Sequence, residues 1–534
     1  MQEKKKAFVR ESSGLVREMD AKDAFSMNFS YLGPAAGVAY PLSFASTLIG
    51  ASWILAGFLG ALLMLPVAIM YYFLSKYIPR SAGDYIYISR TLGPRIGFIQ
   101  ALSNIFIFAS GVPILAQLEL PLVVEPSLQI LGVTFHDSSL ISFANNFSFS
   151  NETSPVFFAS TLIIIALVTL VVIARTKYFA RIITILTAIQ ILGTIAMIIG
   201  LIIVGPSYSS IFTKVSGSFG GPSYSHLESL CTIPTSGINP LTTIVLMSAI
   251  TSFLFLYNNA PTYFSGEIKR AEKGGLFYGI IVSYIVTAIM ALALLAELQN
   301  FIGEKFYDYT SFNGWDYSNG SGIPIATTSI LAYVSIPFLN NPALIILFVA
   351  SAITWYILYA IINLAIPTRT LFAISFDWLA PTFFTKVHEK FRTPIYATLF
   401  ITGLNVIFDI LEIYLGFSES AITTVIVFML YQYFLAAIAA VVIAKKKLYG
   451  INDNRIGILG IISAIVLIIP AFFLIYYGII SSSFASLVFP NLTLNLGIII
   501  GVPIVALVLF EVIRRIREKQ GIDLSLTFSE IPPE

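Results

Sequence analysis

The residues best placed to do chemistry in this chain are two interruptions of apolar runs, Gly33-Pro-Ala-Ala-Gly37 with Pro41 a turn later, and Tyr257-Asn-Asn-Ala-Pro261. Proline removes a backbone donor and glycine adds no side chain to hold a helix, so each cluster breaks a helix in mid-course. An unwound stretch exposes N–H groups at the start of the half-helix that follows, where the positive end of the helix dipole favours an anion such as a carboxylate. The half-helix before it ends in free carbonyls, which suit a cation. A zwitterion whose charges sit on neighbouring atoms uses both ends, so the paired breaks point to an α-amino acid without calling on a charged side chain. No Lys, Arg, Asp or Glu lies near the middle of either run. Gly33 to Gly37 is also a G-x-x-x-G spacing that lets helices pack closely, and membrane helices accept proline kinks. The second break favours function, because the adjacent amides Asn258 and Asn259 are costly at depth unless a cavity or partners receive them.

The elements that must hold these breaks follow from composition. With 57% hydrophobic and 11% charged residues and a mean hydropathy of +0.87, the chain has too little polar surface to clothe a soluble globule. Runs long enough to cross a bilayer, roughly 20 residues each, recur near 24–49, 52–77, 96–123, 155–175, 183–204 and 240–266, and again near 275–300, 342–370, 395–415, 420–444, 456–480 and 494–514. They predict an all-α membrane protein of twelve transmembrane helices with the breaks in the first and the sixth. An offset of five crossings is what an inverted repeat of five helices produces, since an odd number of crossings reverses the second copy. The repeats would be 24–204 and 240–444, with 456–514 supplying two further helices.

Charge distribution tests the count, because one missed span would swap the side of every later loop. With the N-terminus inside, 28 of the 30 Lys and Arg residues fall on the inner side, and only Lys214 and Lys305 lie outside. This predicts a multi-pass cell-membrane protein whose tails, 1–23 and 515–534, are both cytoplasmic. The segment Met1 to Asp20 is too polar for the apolar core of a cleavable signal, so the first span is expected to be retained. Four glycosylation sequons, at Asn146, Asn151, Asn319 and Asn491, all land on outer loops. The long outer loops 124–154, 205–239 and 301–341 are expected to pack as a cap, with Ile323 to Ser335 as a re-entrant or surface helix.

Several function classes are disfavoured. A net charge of +2 leaves no basic tract for nucleic acid, and the lone Cys231 can form no internal disulfide or thiol metal site. His136, His226 and His388 fall in loops without metal-ligand spacing. No convergent set of acids, imidazoles or ligands marks an enzyme, and no cofactor is expected.

Three stretches are distinctive. Arg369-Thr-Leu-Phe-Ala-Ile-Ser-Phe-Asp-Trp-Leu-Ala-Pro381, followed by Val387-His and Thr393-Pro394, is similar to the cytoplasmic loop between helices 8 and 9 of the amino acid, polyamine and organocation (APC) transporter superfamily. Ser81-Ala-Gly-Asp-Tyr85 with Gly93 resembles that family's loop after helix 2, and Gly266-Glu-Ile-Lys-Arg-Ala271 the segment closing helix 6. From about Ala24 to Lys447 the chain therefore resembles this superfamily. The resemblance implies the leucine-transporter fold, with helices 1–5 and 6–10 as inverted repeats and helices 11 and 12 outside them. It also implies secondary active transport of amino acids by alternating access.

Carried over, the resemblance assigns the substrate carboxylate to the amides of Ala36 and Gly37, and its ammonium to the carbonyls of Gly33, Phe253 and Leu256. Phe253 matches an aromatic lid, and Tyr257 and Asn258 complete the second break. Asn259 stands where some members carry a substrate-reading acid, which implies a neutral substrate; Asn104 is a lesser candidate. Two departures matter. The family's Gly-Ser-Gly reads Ala35-Ala36-Gly37, which removes a hydroxyl but keeps the backbone donors. Gln190 occupies the place where proton-coupled members often carry a lysine, and an amide does not titrate near neutrality. Exchange, uniport, sodium, or a proton carried elsewhere remain open as coupling modes. Glu119 is a candidate proton acceptor but reads first, as do Asp409 and Glu412, as an interface acid at a span end, and Ser351 and Thr354 read as packing residues able to donate oxygens to an ion. A channel or sensor on the same fold, or a carrier of another small amine, is the alternative.

Overall fold

A computed structural model describes residues 17–42, 47–231, 238–271, 274–317, 320–488 and 491–528. Among the described residues every regular element is helical. Eleven helices among the described residues are long and apolar enough to cross a membrane. The segment expected as the first span is instead two short helices, α1 (Ala21–Leu32) and α2 (Pro34–Leu42), each too short to cross alone. The end of that expected span, 43–46, lies outside the described residues, as do Lys273, Asn319, most of the N-terminal tail and the last six residues.

Local chemistry explains the first break. Asp20 and Asp23 form a reciprocal capping box that starts α1. Gly33 ends it in the left-handed region, at φ 54°, its N–H donating to the Phe29 carbonyl at 2.8 Å. Glycine adopts that conformation without the clash a Cβ would bring, and Pro34 starts the next helix at the one position where a missing N–H costs nothing.

The bundle continues with α3 (Trp53–Tyr77), a short α4 (Gly83–Leu92) and α5 (Pro94–Glu119). After α6 (Pro155–Ile173), α7 (Thr176–Val204) and α8 (Pro240–Ile250) comes the second break. Then follow α9 (Ser283–Glu297), α10 (Pro342–Phe376), α11 (Ile395–Leu415), α12 (Ser418–Lys446), α13 (Asn454–Ile480) and α14 (Leu492–Lys519). The run holding α8 is 78% buried over its apolar window, whereas α13 and α14 are 28% and 11% buried. Helices that bury so little of an apolar surface face lipid on most sides.

Contacts sort the helix ends onto two faces. On one face, Met19 pairs with Glu267 and Lys269 through its backbone, Glu18 binds Arg175, Arg90 binds Asp377, Arg95 binds Glu511 and Tyr77 binds Asp453. We call this the N-terminal face. On the other, Asn239 N–H donates to Gly50 and Ile54 N–H to Gln299, and a cap of short helices covers the bundle. Phe306 is the hub of that cap, 4.8 Å from Phe212 and 4.3 Å from Tyr224 between ring centroids, with Trp315 and Tyr333 beside them.

The cap alters three sequence expectations. Helix persists from α5 through a π-turn to Phe135, and from α9 to Asn313, well past the ends of the apolar runs. Those ends are covered by protein, which apolarity alone does not reveal. The stretch expected as a re-entrant or surface helix is helical only over Ile330–Ser335, and these residues are buried within the cap.

Candidate substrate site

The second break begins with a π-turn, Thr251–Phe255, in which Leu256 N–H donates to the Thr251 carbonyl at 2.8 Å. Tyr257, Asn258 and Asn259 leave the helix, and a tight 3-10 helix, Ala260–Phe264, resumes the course toward the N-terminal face. The first break lies beside it. A Cβ added at Gly37 would fall 2.5 Å from the Leu254 side chain, so the two broken elements touch with nothing between them.

A cavity of about 80 Å³ opens between these breaks. On the scale in which one water needs ~10–15 Å³, it suits a small solute. Ala36 and Gly37 form one wall, Phe253 and Tyr257 another. Across from them α5 presents Gly111 and α10 presents Tyr356, Tyr359 and Asn363, with apolar residues of α12 completing the lining. Tyr257, Tyr31 and Tyr359 form an edge-to-face triangle with centroids 5.1 to 5.4 Å apart. On the opposite side Tyr40 lies 4.5 Å from Phe253, both half-buried. No Lys, Arg, Asp, Glu or His is among the lining residues.

The backbone groups at the breaks are unequally available. Gly37 N–H already donates to the Gly33 carbonyl at 2.7 Å, and Asn258 N–H to the Leu256 carbonyl at 3.0 Å. Pro34 has no N–H, so the first-turn donors of α2 without an intrahelical carbonyl are Ala35 and Ala36. Ala35, Gly33, Leu256 and Asn258 are buried and are not among the residues that line the cavity. The Asn258 side chain donates to the Phe255 carbonyl at 2.9 Å.

The remaining candidates point elsewhere. Asn259 donates to Asp84 Oδ2 at 2.8 Å. Asn104 donates to Tyr263 Oη at 3.0 Å and Gln432 Oε1 at 2.9 Å, and accepts from Thr370 at 2.8 Å. Gln190 is buried between α7 and α10; its backbone carbonyl accepts from Ser351 at 3.1 Å, while neither end of its amide meets a partner among the described residues. His388 Nδ1 accepts from the amides of Lys390 and Phe391, which makes it a turn-former. Asp409 and Glu412 are buried rather than interfacial, sharing the Gln117 amide at 2.9 and 3.1 Å. Glu119 is likewise buried.

Between the cavity and the N-terminal face lie two ion pairs. Arg369 and Glu267, both buried, meet at 3.2 Å, with the guanidinium stacked 4.6 Å above the Phe264 ring. Arg90 grips Asp377 bidentately at 2.7 and 2.8 Å, and Tyr85 donates to the same carboxylate. Glu267, Arg369, Asp377 and Tyr85 belong to the distinctive stretches 266–271, 369–381 and 81–85, whereas Arg90 lies just beyond the last of these. Sequence reasoning missed Tyr356, Tyr359 and Asn363, although their i, i+3, i+7 spacing within an apolar run marks one polar stripe of a helix.

The family model for amino acid permease matches residues 22–503. The chain belongs to this family. It is thereby a member of the APC superfamily and a multi-pass transport protein of the membrane. The permease is also 24% identical over 450 residues to "Uncharacterized protein 399" of Sulfolobus islandicus rod-shaped virus 1, an alignment covering 84% of this chain and 86% of that protein. The permease match spans both breaks, the cavity between them and the two ion pairs.

Proposed function

We propose that the permease carries neutral amino acids across the cell membrane by alternating access. The observation that carries this reading is the cavity walled by both broken helices and lined without a charged side chain. A third charge on the substrate would be desolvated there without a partner, a cost of several kcal/mol. The substrate carboxylate binds at the start of α2, on the N–H of Ala36 at the cavity wall, with the Ala35 N–H behind it. The Gly37 amide, being engaged with Gly33, shapes the wall instead. The ammonium is assigned to the carbonyls at Gly33, Phe253 and Leu256; Phe253 lines the cavity, and the breaks must part slightly to uncover the other two. Tyr257 and Phe253 enclose the side chain, and Asn258 holds the unwound segment.

In this reading α1 and α2 together make the first of twelve crossings. Residues 24–204 and 240–444 are inverted repeats, 456–514 adds two outer helices, and the N-terminal face is cytoplasmic. The tight ion pairs on that face and the half-buried Tyr40 and Phe253 on the other favour a state closed toward the cytoplasm.

Counterflow in proteoliposomes tests the proposal. Liposomes preloaded with unlabelled neutral amino acids should take up the tritiated forms saturably. Unsaturable conductance would replace the carrier by a channel, and ligand-induced thermal stabilisation without flux would replace it by a sensor.

A further inference from the structure

Asp84 lies in the first turn of α4, outside the spanning helices, and is fully buried. Its Oδ2 accepts from Asn259 Nδ2 at 2.8 Å, Tyr263 Oη at 2.7 Å and Gln432 Nε2 at 2.8 Å. Its Oδ1 meets no donor among the described residues. The titratable groups that face it are phenols: Tyr31 from α1, Tyr71 from α3, Tyr263 after the second break, and Tyr433 from α12. Arg90, further along α4, is turned to Asp377.

A carboxyl buried in this way is torn between two forms. Desolvation favours the neutral acid, and donors favour the carboxylate. Burial pushes Asp84 up to about 6, with its donors Tyr263, Gln432 and Asn259 holding it from rising further.

What the carboxyl holds is the half-helix that follows the second break. Asn259 is two residues from the cavity-lining Tyr257, and Tyr263 is one turn further on. The backbone ties the same two elements: Ala82 N–H donates to the Tyr263 carbonyl at 3.1 Å. A Cβ at Gly83 would sit 2.5 Å from Thr262 Oγ1 and 3.0 Å from the Thr262 carbonyl. Movement of residues 259–264 away from α4 would therefore strip Asp84 of two of its three donors, Asn259 and Tyr263, at once.

We propose that Asp84 is the proton-binding group through which the permease couples substrate movement to a proton gradient. The proposal rests on the transport reading above. A proton from water bonds to a lone pair of Oδ1 on one side of the membrane, and the same O–H bond breaks to return it to water on the other. A neutral acid is a weaker acceptor than a carboxylate, so protonation loosens the clamp on Asn259 and Tyr263 and frees the half-helix to move. Gln190, which cannot titrate near neutrality, is not needed for the step.

The test uses the full chain in proteoliposomes with pyranine trapped inside and an equimolar mixture of tritiated neutral amino acids outside. In the unaltered permease an inward proton gradient should drive accumulation of label, and uptake should acidify the lumen. Asp84→Asn should keep counterflow while losing both gradient-driven accumulation and substrate-evoked acidification. Accumulation by Asp84→Asn equal to that of the unaltered protein, or accumulation by the unaltered protein that ignores the gradient, overturns the proposal. Should Asp84→Asn not fold, Tyr263→Phe decides. Loss of one donor to the carboxylate should move the pH midpoint of uptake up by about one unit, and an unmoved midpoint overturns the assignment. Absence of counterflow in the unaltered protein would instead remove the transport reading on which the proposal stands.

Discussion

Gly37 and Leu254 meet across the two broken helices with no space for a side chain: a Cβ at Gly37 would lie 2.5 Å from Leu254 Cδ1 and 3.1 Å from the Leu32 carbonyl oxygen. The contact sets the separation of the two walls that enclose the cavity. Gly37→Val should spread them, at a cost of about 1–3 kcal/mol for overpacking. Stabilisation of the purified protein by neutral amino acids should then vanish while the protein still folds. Retained stabilisation would remove Gly37 from the site.

Glu267 and Arg369 are a buried pair, and Thr176 adds a 3.2 Å hydrogen bond to the carboxylate. Removing one partner strands a buried charge, which costs about 3–5 kcal/mol. Glu267→Gln and Arg369→Gln should each lower the thermal midpoint strongly, and the double variant should be more stable than the sum of the two losses implies. Strict additivity in such a cycle would mean that the two side chains do not act as a pair.

Phe253 separates the cavity between the two breaks from a larger apolar cavity between α12 and α13, since it lines both. Phe253→Ala should merge the two, raise the KM of counterflow for small neutral amino acids by roughly tenfold, a loss of about 1.4 kcal/mol of binding, and relax discrimination against bulky ones. An unchanged KM for every member of an amino-acid panel would exclude Phe253 from the wall.

The pH dependence of stability follows from Asp84. Its folded value of about 6 lies above the ordinary 3.8, so the folded state holds the proton more tightly than the unfolded chain. The stabilisation this gives is complete below about pH 4 and is lost as the pH rises through about 6. Thermal midpoints in detergent should fall across that window, and Asp84→Asn should flatten the slope. An equal slope in the variant would assign the pH dependence to another group.

Much of the architecture can be read from residue types alone, because a bilayer imposes conditions that act locally. A crossing helix must stay apolar for its whole length, basic residues collect on one side, and a helix cannot run unbroken through Gly33-Pro34 or Asn259-Ala-Pro261. Accordingly, the long crossing helices other than the first span appear where apolar runs stand, and both breaks lie where glycine and proline stand. Where helix continues under the cap beyond the apolar runs, as at Glu125–Phe135 and Glu304–Asn313, the same reasoning stops short, since a helix covered by protein needs no uninterrupted apolar run.

Only the tertiary structure decided which residues around the breaks face the cavity. After a helix unwinds, the 3.6-residue period no longer sets the direction of a side chain, so Tyr257 enters the lining while Asn259, two residues later, turns to Asp84. Asp84 and Gln432 join that network from positions 175 residues before and 173 after Asn259, brought together by packing that no local pattern encodes. The paired breaks identified a place for a zwitterion. The folded chain showed which first-turn amides of α2 lack an intrahelical partner, and set near them a buried acid that the composition of either break gave no reason to expect.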